Sequence, residues 1–238
     1  MRTPLPALQE RARDGERLAM LTCYDASFAR AIEDAGADIL LVGDSLGMTV
    51  QGEETTLAVT LEQMAYHVRC VARGSRRAFL LADLPFGSYQ ESPEQAMRSA
   101  AAMLAAGAQM VKLEGGAVVA PTVAFLVARG VPVCAHVGLT PQSVHALGGW
   151  KAQGRDDVSA RRIAADALAL QEAGAGMIVL ESMPAVLASA VTESLAIPSI
   201  GIGAGAGCRG QVLVLQDLLG LTPRPPRFAR NFLAGASS

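Results

Sequence analysis

With 238 residues, 51% hydrophobic but only 4% aromatic, the chain can build one large core from Ala, Val, Leu and Ile, and no Ser/Pro-rich linker divides it. The formal net charge is -2, and the small basic groups Arg73, Arg76, Arg77 and Arg224, Arg227, Arg230 carry no interleaved aromatics, which argues against a nucleic-acid surface. There is no uncharged apolar run long enough to span a membrane, residues 1–18 hold no apolar signal core, and Cys23, Cys70, Cys134 and Cys208 form no CxxC pair, so the expectation is a cytoplasmic protein with reduced thiols, without zinc or disulfides.

Taken in chain order, apolar runs predict strands at 18–23, 38–43, 78–83, 110–114, 131–136, 177–181, 198–202 and 211–215. Helical periodicity between them predicts helices at 27–35, 60–73, 92–106, 121–129, 159–173 and 184–195. Their predicted N-terminal devices are Ser27, Thr60 with Gln63, Ser92 with Pro93 and Gln95, and Ser159. Eight β-runs in βα order imply an α/β fold, a (β/α)8 TIM-type barrel forming a single domain over 1–238. The last βα unit is expected to be shortened, since 203–210 cannot hold a full helix and only a turn or two is expected after the eighth strand, around Arg227 to Ala234. The long Gly-rich connections 45–59 and 138–157 both follow strands, which assigns them to the catalytic face of such a barrel.

Acids stand at the C-terminal ends of four of these runs: Asp44 after ADILLVG, Asp83 after AFLLA, Glu114 after MVKL and Glu181 after MIVL. Ala35-Gly36-Ala37, Ala106-Gly107-Ala108 and Ala173-Gly174-Ala175 repeat as the lead-in to three of them, with Gly suited to the left-handed position that ends a helix. Strand parity places Lys112 and Glu114 on one face and Val111 and Leu113 on the other; helices cover the apolar face, so Lys112 and Glu114 point into the mouth. The same parity turns Val179 and Glu181 inward.

Any one such acid is explained by helix capping or a basic neighbour. Three on adjacent strands beside an inward Lys predict a cation site of Asp44, Asp83 and Glu114, and an all-oxygen donor set suits Mg2+. Glu181, two strands further round, is placed as a general base. His136 ends the fifth run and is assigned to substrate on its neighbours, whereas His67 within a helix is read as structural and His145 fits either role. The Gly201–Gly205 run is read as close packing at the rim, because no helix and no GKS follow it.

Several motifs then carry a resemblance over nearly the whole chain: GDSLGMTVQG (43–52), LADLPF (81–86), VKLEGG (111–116), HVGLTPQS (136–143) and GIGAG (201–205). In this order they resemble the 3-methyl-2-oxobutanoate (ketopantoate) hydroxymethyltransferase family. The resemblance implies a (β/α)8 barrel that uses Mg2+ and the co-substrate 5,10-methylenetetrahydrofolate to convert 3-methyl-2-oxobutanoate to 2-dehydropantoate in pantothenate biosynthesis. It implies Asp44, Asp83 and Glu114 at the metal, Glu181 as proton acceptor, Ser45, Asp83 and Lys112 at the 2-oxoacid, and His136 lining the same pocket. It also implies a homo-oligomer, a decamer in the family. Arg209 and Gln216 depart from the family pattern of Asp and His at those positions. A barrel of the phosphoenolpyruvate mutase and isocitrate lyase kind is the competing enzyme reading, but no KKCGH-like segment occurs. A non-catalytic scaffold is the third, and the intact acids, Lys112 and His136 oppose it.

Overall fold

In the computed structural model, which describes residues 2–235, the eight apolar runs pair in parallel in chain order and the last returns to the first, closing a barrel. The strands are β1 (Leu18–Thr22), β2 (Ile39–Val42), β3 (Phe79–Asp83), β4 (Met110–Lys112), β5 (Val133–Gly138), β6 (Met177–Glu181), β7 (Ser199–Ile202) and β8 (Gly210–Leu213). The helices are α1 (Leu5–Arg13), α2 (Ala26–Asp34), α3 (Leu46–Thr49), α4 (Leu61–Gly74), α5 (Pro93–Ala106), α6 (Ala120–Val127), α7 (Asp157–Glu172), α8 (Ala185–Ser194) and α9 (Leu215–Leu218). Among the described residues no helix is long and apolar enough to cross a membrane.

Alternation along each strand sorts the core into two clusters. Met20, Leu41, Phe79, Leu81, Met110 and Val179 fill the barrel, while Leu40, Val42, Leu80, Val111, Ile178 and Leu180 pack beneath the helices. Both faces of the strands are therefore buried, which is why the runs are continuously apolar. Gly36, Gly107 and Gly174 follow α2, α5 and α7 with φ of +95°, +119° and +98°, the left-handed turn that aims each following strand.

Two caps sit earlier than the sequence suggests. Asp25, not Ser27, caps α2, accepting from the Ser27 and Phe28 N–H groups at 2.8 and 3.0 Å. Asp156, not Ser159, caps α7, accepting from Val158 and Ser159 at 3.0 Å each. In both cases an extended carboxylate two or three residues upstream reaches the free N–H groups and extends the helix backward. The Thr60–Gln63 capping box and the Ser92 cap form as expected.

At the N-terminus, α1 was not foreseen. Its Leu8 and Ala12 join the barrel-interior cluster, and Gln9 Nε2 donates to the Gly176 carbonyl just before β6 at 2.9 Å, so α1 plugs the mouth opposite the strand-end acids. The last unit is short, as expected: β7 passes to β8 without a helix. The terminal helix lies elsewhere than expected, however, as the single turn α9 directly after β8, and no helix forms over 227–234. Gly220, at φ +68°, ends α9, and Pro223, Pro225 and Pro226 then keep the chain out of a helix and return Phe228 onto Gly203.

Candidate active site

The C-terminal strand ends bring the predicted residues together. Asp44 and Ser45 lie in the turn from β2 to α3, Asp83 ends β3, Lys112 ends β4 with Glu114 two residues on, His136 lies in β5, and Glu181 ends β6. Asp44, Asp83, Lys112, Glu114 and His136 are buried, whereas Ser45 and Glu181 are partly exposed.

Lys112 Nζ stands 3.3 Å from Asp83 Oδ1, 3.7 Å from Glu114 Oε1 and 3.2 Å from His136 Nδ1. The Asp44 N–H donates to Asp83 Oδ2 at 3.1 Å, which ties β2 to β3 at the rim. His136 bridges two carboxylates, with Nδ1 3.3 Å from Glu114 Oε1 and Nε2 3.2 Å from Glu181 Oε2. The Nε2–Glu181 contact is an ion-pair distance without the alignment of a hydrogen bond. Glu181 is thus one imidazole away from Glu114, closer to the acid trio than the spacing along the chain suggests.

Charge is unevenly matched here: four carboxylates, Asp44, Asp83, Glu114 and Glu181, face two cationic groups, Lys112 and His136. Burial, then Asp83 and Glu114, push Asp44 well above the usual carboxylate range. Burial also raises Asp83, with Lys112 opposing and Glu114 adding to the rise. Burial would raise Glu114 as well, but His136, Lys112 and the Gln142 N–H outweigh it and hold Glu114 below its ordinary value. For His136, burial and Lys112 work against the charge, yet Glu114 and Glu181 prevail and lift its pKa to about 9, so both ring nitrogens carry protons at neutral pH. Lys112 stays charged because Asp83, Glu114 and Asp44 overcome its desolvation.

The residues fit a hard divalent cation by their chemistry. Asp83 Oδ1 and Glu114 Oε1 are buried acceptors that meet Lys112 and His136 at ion-pair distance without hydrogen-bond alignment, and burial with the local excess of negative charge drives Asp44 toward protonation. Among the described residues no three His, Cys, Asp or Glu side chains are gathered closely enough to enclose an ion by themselves. Mg2+ does not require that, since it is commonly held by one or two carboxylates with waters and ligand oxygens completing the shell.

Three groups at this site had not been assigned. Tyr24 OH lies 2.8 Å from Ser45 Oγ, fixing the hydroxyl at the rim, and His67 Nδ1 meets the Tyr24 carbonyl at 2.8 Å, in keeping with a structural His67. Tyr89 OH accepts from the Glu114 N–H at 3.0 Å and lies 2.6 Å from Gln142 Oε1. Gln142 joins the acids from the long 138–157 connection; its Pro-preceded place in GLTPQS was the one sequence sign of an ordered turn. Gly138 has φ +96°, and a Cβ there would lie 2.2 Å from the Glu181 carbonyl oxygen, so only Gly lets β5 approach the end of β6 that carries Glu181. Ser182 follows at φ +47°, strained backbone beside a site carboxylate. The Gly201–Gly205 run packs at the rim, Gly203 against Phe228 and Gly205 against Ala185.

The sequence profile described as "Ketopantoate hydroxymethyltransferase" matches residues 2–238. The chain belongs to that family. Similar to it is the 3-methyl-2-oxobutanoate hydroxymethyltransferase of Thiobacillus denitrificans, 63% identical over 238 residues, covering 100% of this chain and 91% of that protein. Another is that of Azoarcus sp., 64% identical over 227 residues, covering 94% and 84%. Among solved structures, phosphonopyruvate hydrolase in complex with oxalate and Mg++ aligns with a TM-score of 0.68 at 15% identity, over 92% of this chain and 84% of that one. That likeness concerns the barrel alone; the family is a ketopantoate hydroxymethyltransferase family with the barrel architecture shared more widely.

Proposed function

We propose that this chain transfers a hydroxymethyl group from 5,10-methylenetetrahydrofolate to 3-methyl-2-oxobutanoate, giving 2-dehydropantoate. Membership of the family over the full described length supports the reaction, and the joined cluster of Asp44, Asp83, Lys112, Glu114, His136 and Glu181 is the observation that carries the assignment of residues. Asp44, Asp83 and Glu114 would hold Mg2+. Bound there, Mg2+ supplies Lewis-acid polarisation of the 2-oxoacid oxygens.

Lys112 is charged and faces the mouth, so it binds the anionic 2-oxoacid and stabilises negative charge as it develops on the keto oxygen. Ser45, oriented by Tyr24, donates to the same substrate. Glu181, the most exposed of the acids, removes the C3 proton, and protonated His136 beside it balances and orients its carboxylate. The resulting carbon nucleophile attacks the folate methylene; water supplies the hydroxyl oxygen and tetrahydrofolate leaves. Cytoplasmic location and a homo-oligomer, with the family's decamer as the expected size, are part of the same reading.

The test is an assay for 2-dehydropantoate from both substrates with Mg2+ and with chelator, together with NMR exchange of the C3 proton in deuterated water. Glu181→Gln is expected to lose exchange by about 100-fold or more. Exchange at the parental rate in that variant would remove Glu181 from the base role, and absence of folate-dependent product would remove the reaction.

A further inference from the structure

Gln142 is buried, 4% exposed, in the long connection after β5, and its backbone N–H and both side-chain amide atoms are hydrogen-bonded. Its backbone N–H donates to Glu114 Oε2 at 2.9 Å. Its side-chain Nε2 donates to Asp44 Oδ2 at 2.8 Å and to the Leu84 carbonyl at 2.9 Å. Its Oε1 accepts from Tyr89 OH at 2.6 Å and from Gln90 Nε2 at 3.2 Å. The amide orientation follows from the partners: the Leu84 main-chain carbonyl can only accept, so the nitrogen must face it and the oxygen must face Tyr89.

The consequence is a division of labour within two carboxylates. Asp44 Oδ2 and Glu114 Oε2 are tethered by Gln142. Glu114 Oε1, by contrast, meets only the cations His136 and Lys112, at 3.3 and 3.7 Å without hydrogen-bond alignment, and among the described residues no protein donor meets Asp44 Oδ1. A carboxylate with one oxygen held by a hydrogen bond from the protein presents the other as a single directed donor, the arrangement by which outer partners orient metal ligands. Tyr89 braces the amide from the other side and also receives the Glu114 N–H, so the same hydroxyl stiffens both ends of the network.

We propose that Gln142, braced by Tyr89, is a positioning residue that, by tethering one oxygen each of Asp44 and Glu114, presents their other oxygens to a divalent cation and couples that presentation to the 138–157 connection. The inference rests on the cation-dependent reading above. It does not make Gln142 a catalytic residue, because the amide is consumed by protein partners and touches no reacting atom.

The test uses the full chain and Mn2+ alone as probe, titrated by calorimetry without either substrate, beside Tm and steady-state kinetics. Gln142→Met keeps the volume and removes both amide functions. Its Mn2+ dissociation constant is expected to rise about 10- to 100-fold, with kcat recovering as Mn2+ is raised, since a positioning loss is offset by excess cation. Tyr89→Phe leaves the Gln142 tethers in place but removes the brace and the acceptor of the Glu114 N–H, and is expected to shift Mn2+ affinity several-fold in the same direction; it decides the matter if Gln142→Met does not fold. Parental Mn2+ affinity in folded Gln142→Met, or in Tyr89→Phe when only that variant folds, overturns the inference while leaving the reaction intact. A parent that binds no Mn2+ and forms no product overturns the functional reading and the inference together.

Discussion

Asp44 is the residue on which the electrostatics of the rim converge: it is buried, it faces Asp83 and Glu114, and one of its oxygens is held by Gln142. Burial and like charge raise its pKa well above the ordinary 3.8, so in cation-free protein its ionised form opposes folding. The sign is the reverse of a salt-bridged acid. The penalty is absent below the unfolded value and accrues as pH rises toward the raised folded value. Asp44→Asn keeps an oxygen for the Gln142 amide and removes the charge. In chelator it is expected to melt about 2–4 °C higher than the parent near neutral pH, equivalent to about 1 kcal/mol in a chain of this size. The gap should close as melts are taken down toward about pH 4, while 2-dehydropantoate formation falls by about 100-fold or more. A variant no more stable than its parent in chelator would show that Asp44 carries no such penalty.

At the scale of elements, two local devices hold the barrel beneath the site. Leu8 of α1 is fully buried against the strands' inner side chains at the end of the barrel away from the acids. Leu8→Ala is expected to cost about 3 kcal/mol in denaturant unfolding, with KM for the 2-oxoacid unchanged, because the cavity opens far from the rim. Glu33 at the end of α2 is placed against the helix dipole, yet it is buried because it serves the turn into β3. Its Oε2 accepts from Ser75 Oγ at 2.6 Å and from the Arg76, Arg77 and Ala78 N–H groups at 2.9, 2.6 and 2.8 Å. Burial pushes Glu33 upward, but these donors win and hold its pKa at about 2, against an ordinary 4.5. A lowered folded pKa contributes stability that is complete above the unfolded value and is lost as pH falls through the folded one. Glu33→Gln is therefore expected to cost about 2 kcal/mol at neutral pH, a difference that shrinks in melts taken between about pH 4.5 and 2.

For the molecule as a whole, the barrel was legible because strands buried on both faces admit no charge until they reach the rim, so Asp44, Asp83, Glu114 and Glu181 stood out against their own runs. Parity then turned Lys112 and Glu181 inward correctly. Gln142 and Tyr89 were not legible in the same way: a neutral amide in a Gly-rich loop breaks no local rule, and its partners Asp44 and Tyr89 lie 98 and 53 residues away along the chain. α1 was missed because LPALQERAR is charged and short, and its apolar positions acquire meaning only once a barrel mouth exists for them to fill. The terminal helix was misplaced because proline and the return of Phe228 to Gly203 decide that segment, not periodicity. The closed barrel joins all eight strands in one sheet, with the acid-rich rim as the place where charge works against the fold. Ligands that neutralise the rim should therefore stabilise the entire chain. Mg2+ with the 2-oxoacid at about 100 times its dissociation constant contributes about 2.7 kcal/mol by mass action. That corresponds to a rise in Tm of about 5–10 °C over chelated protein for a domain of this length. The same addition to Asp44→Asn should leave its Tm within about 2 °C of the chelated value, because the variant lacks one of the oxygens that would hold the cation. Equal stabilisation of both proteins, followed by calorimetry, would locate the cation away from this rim.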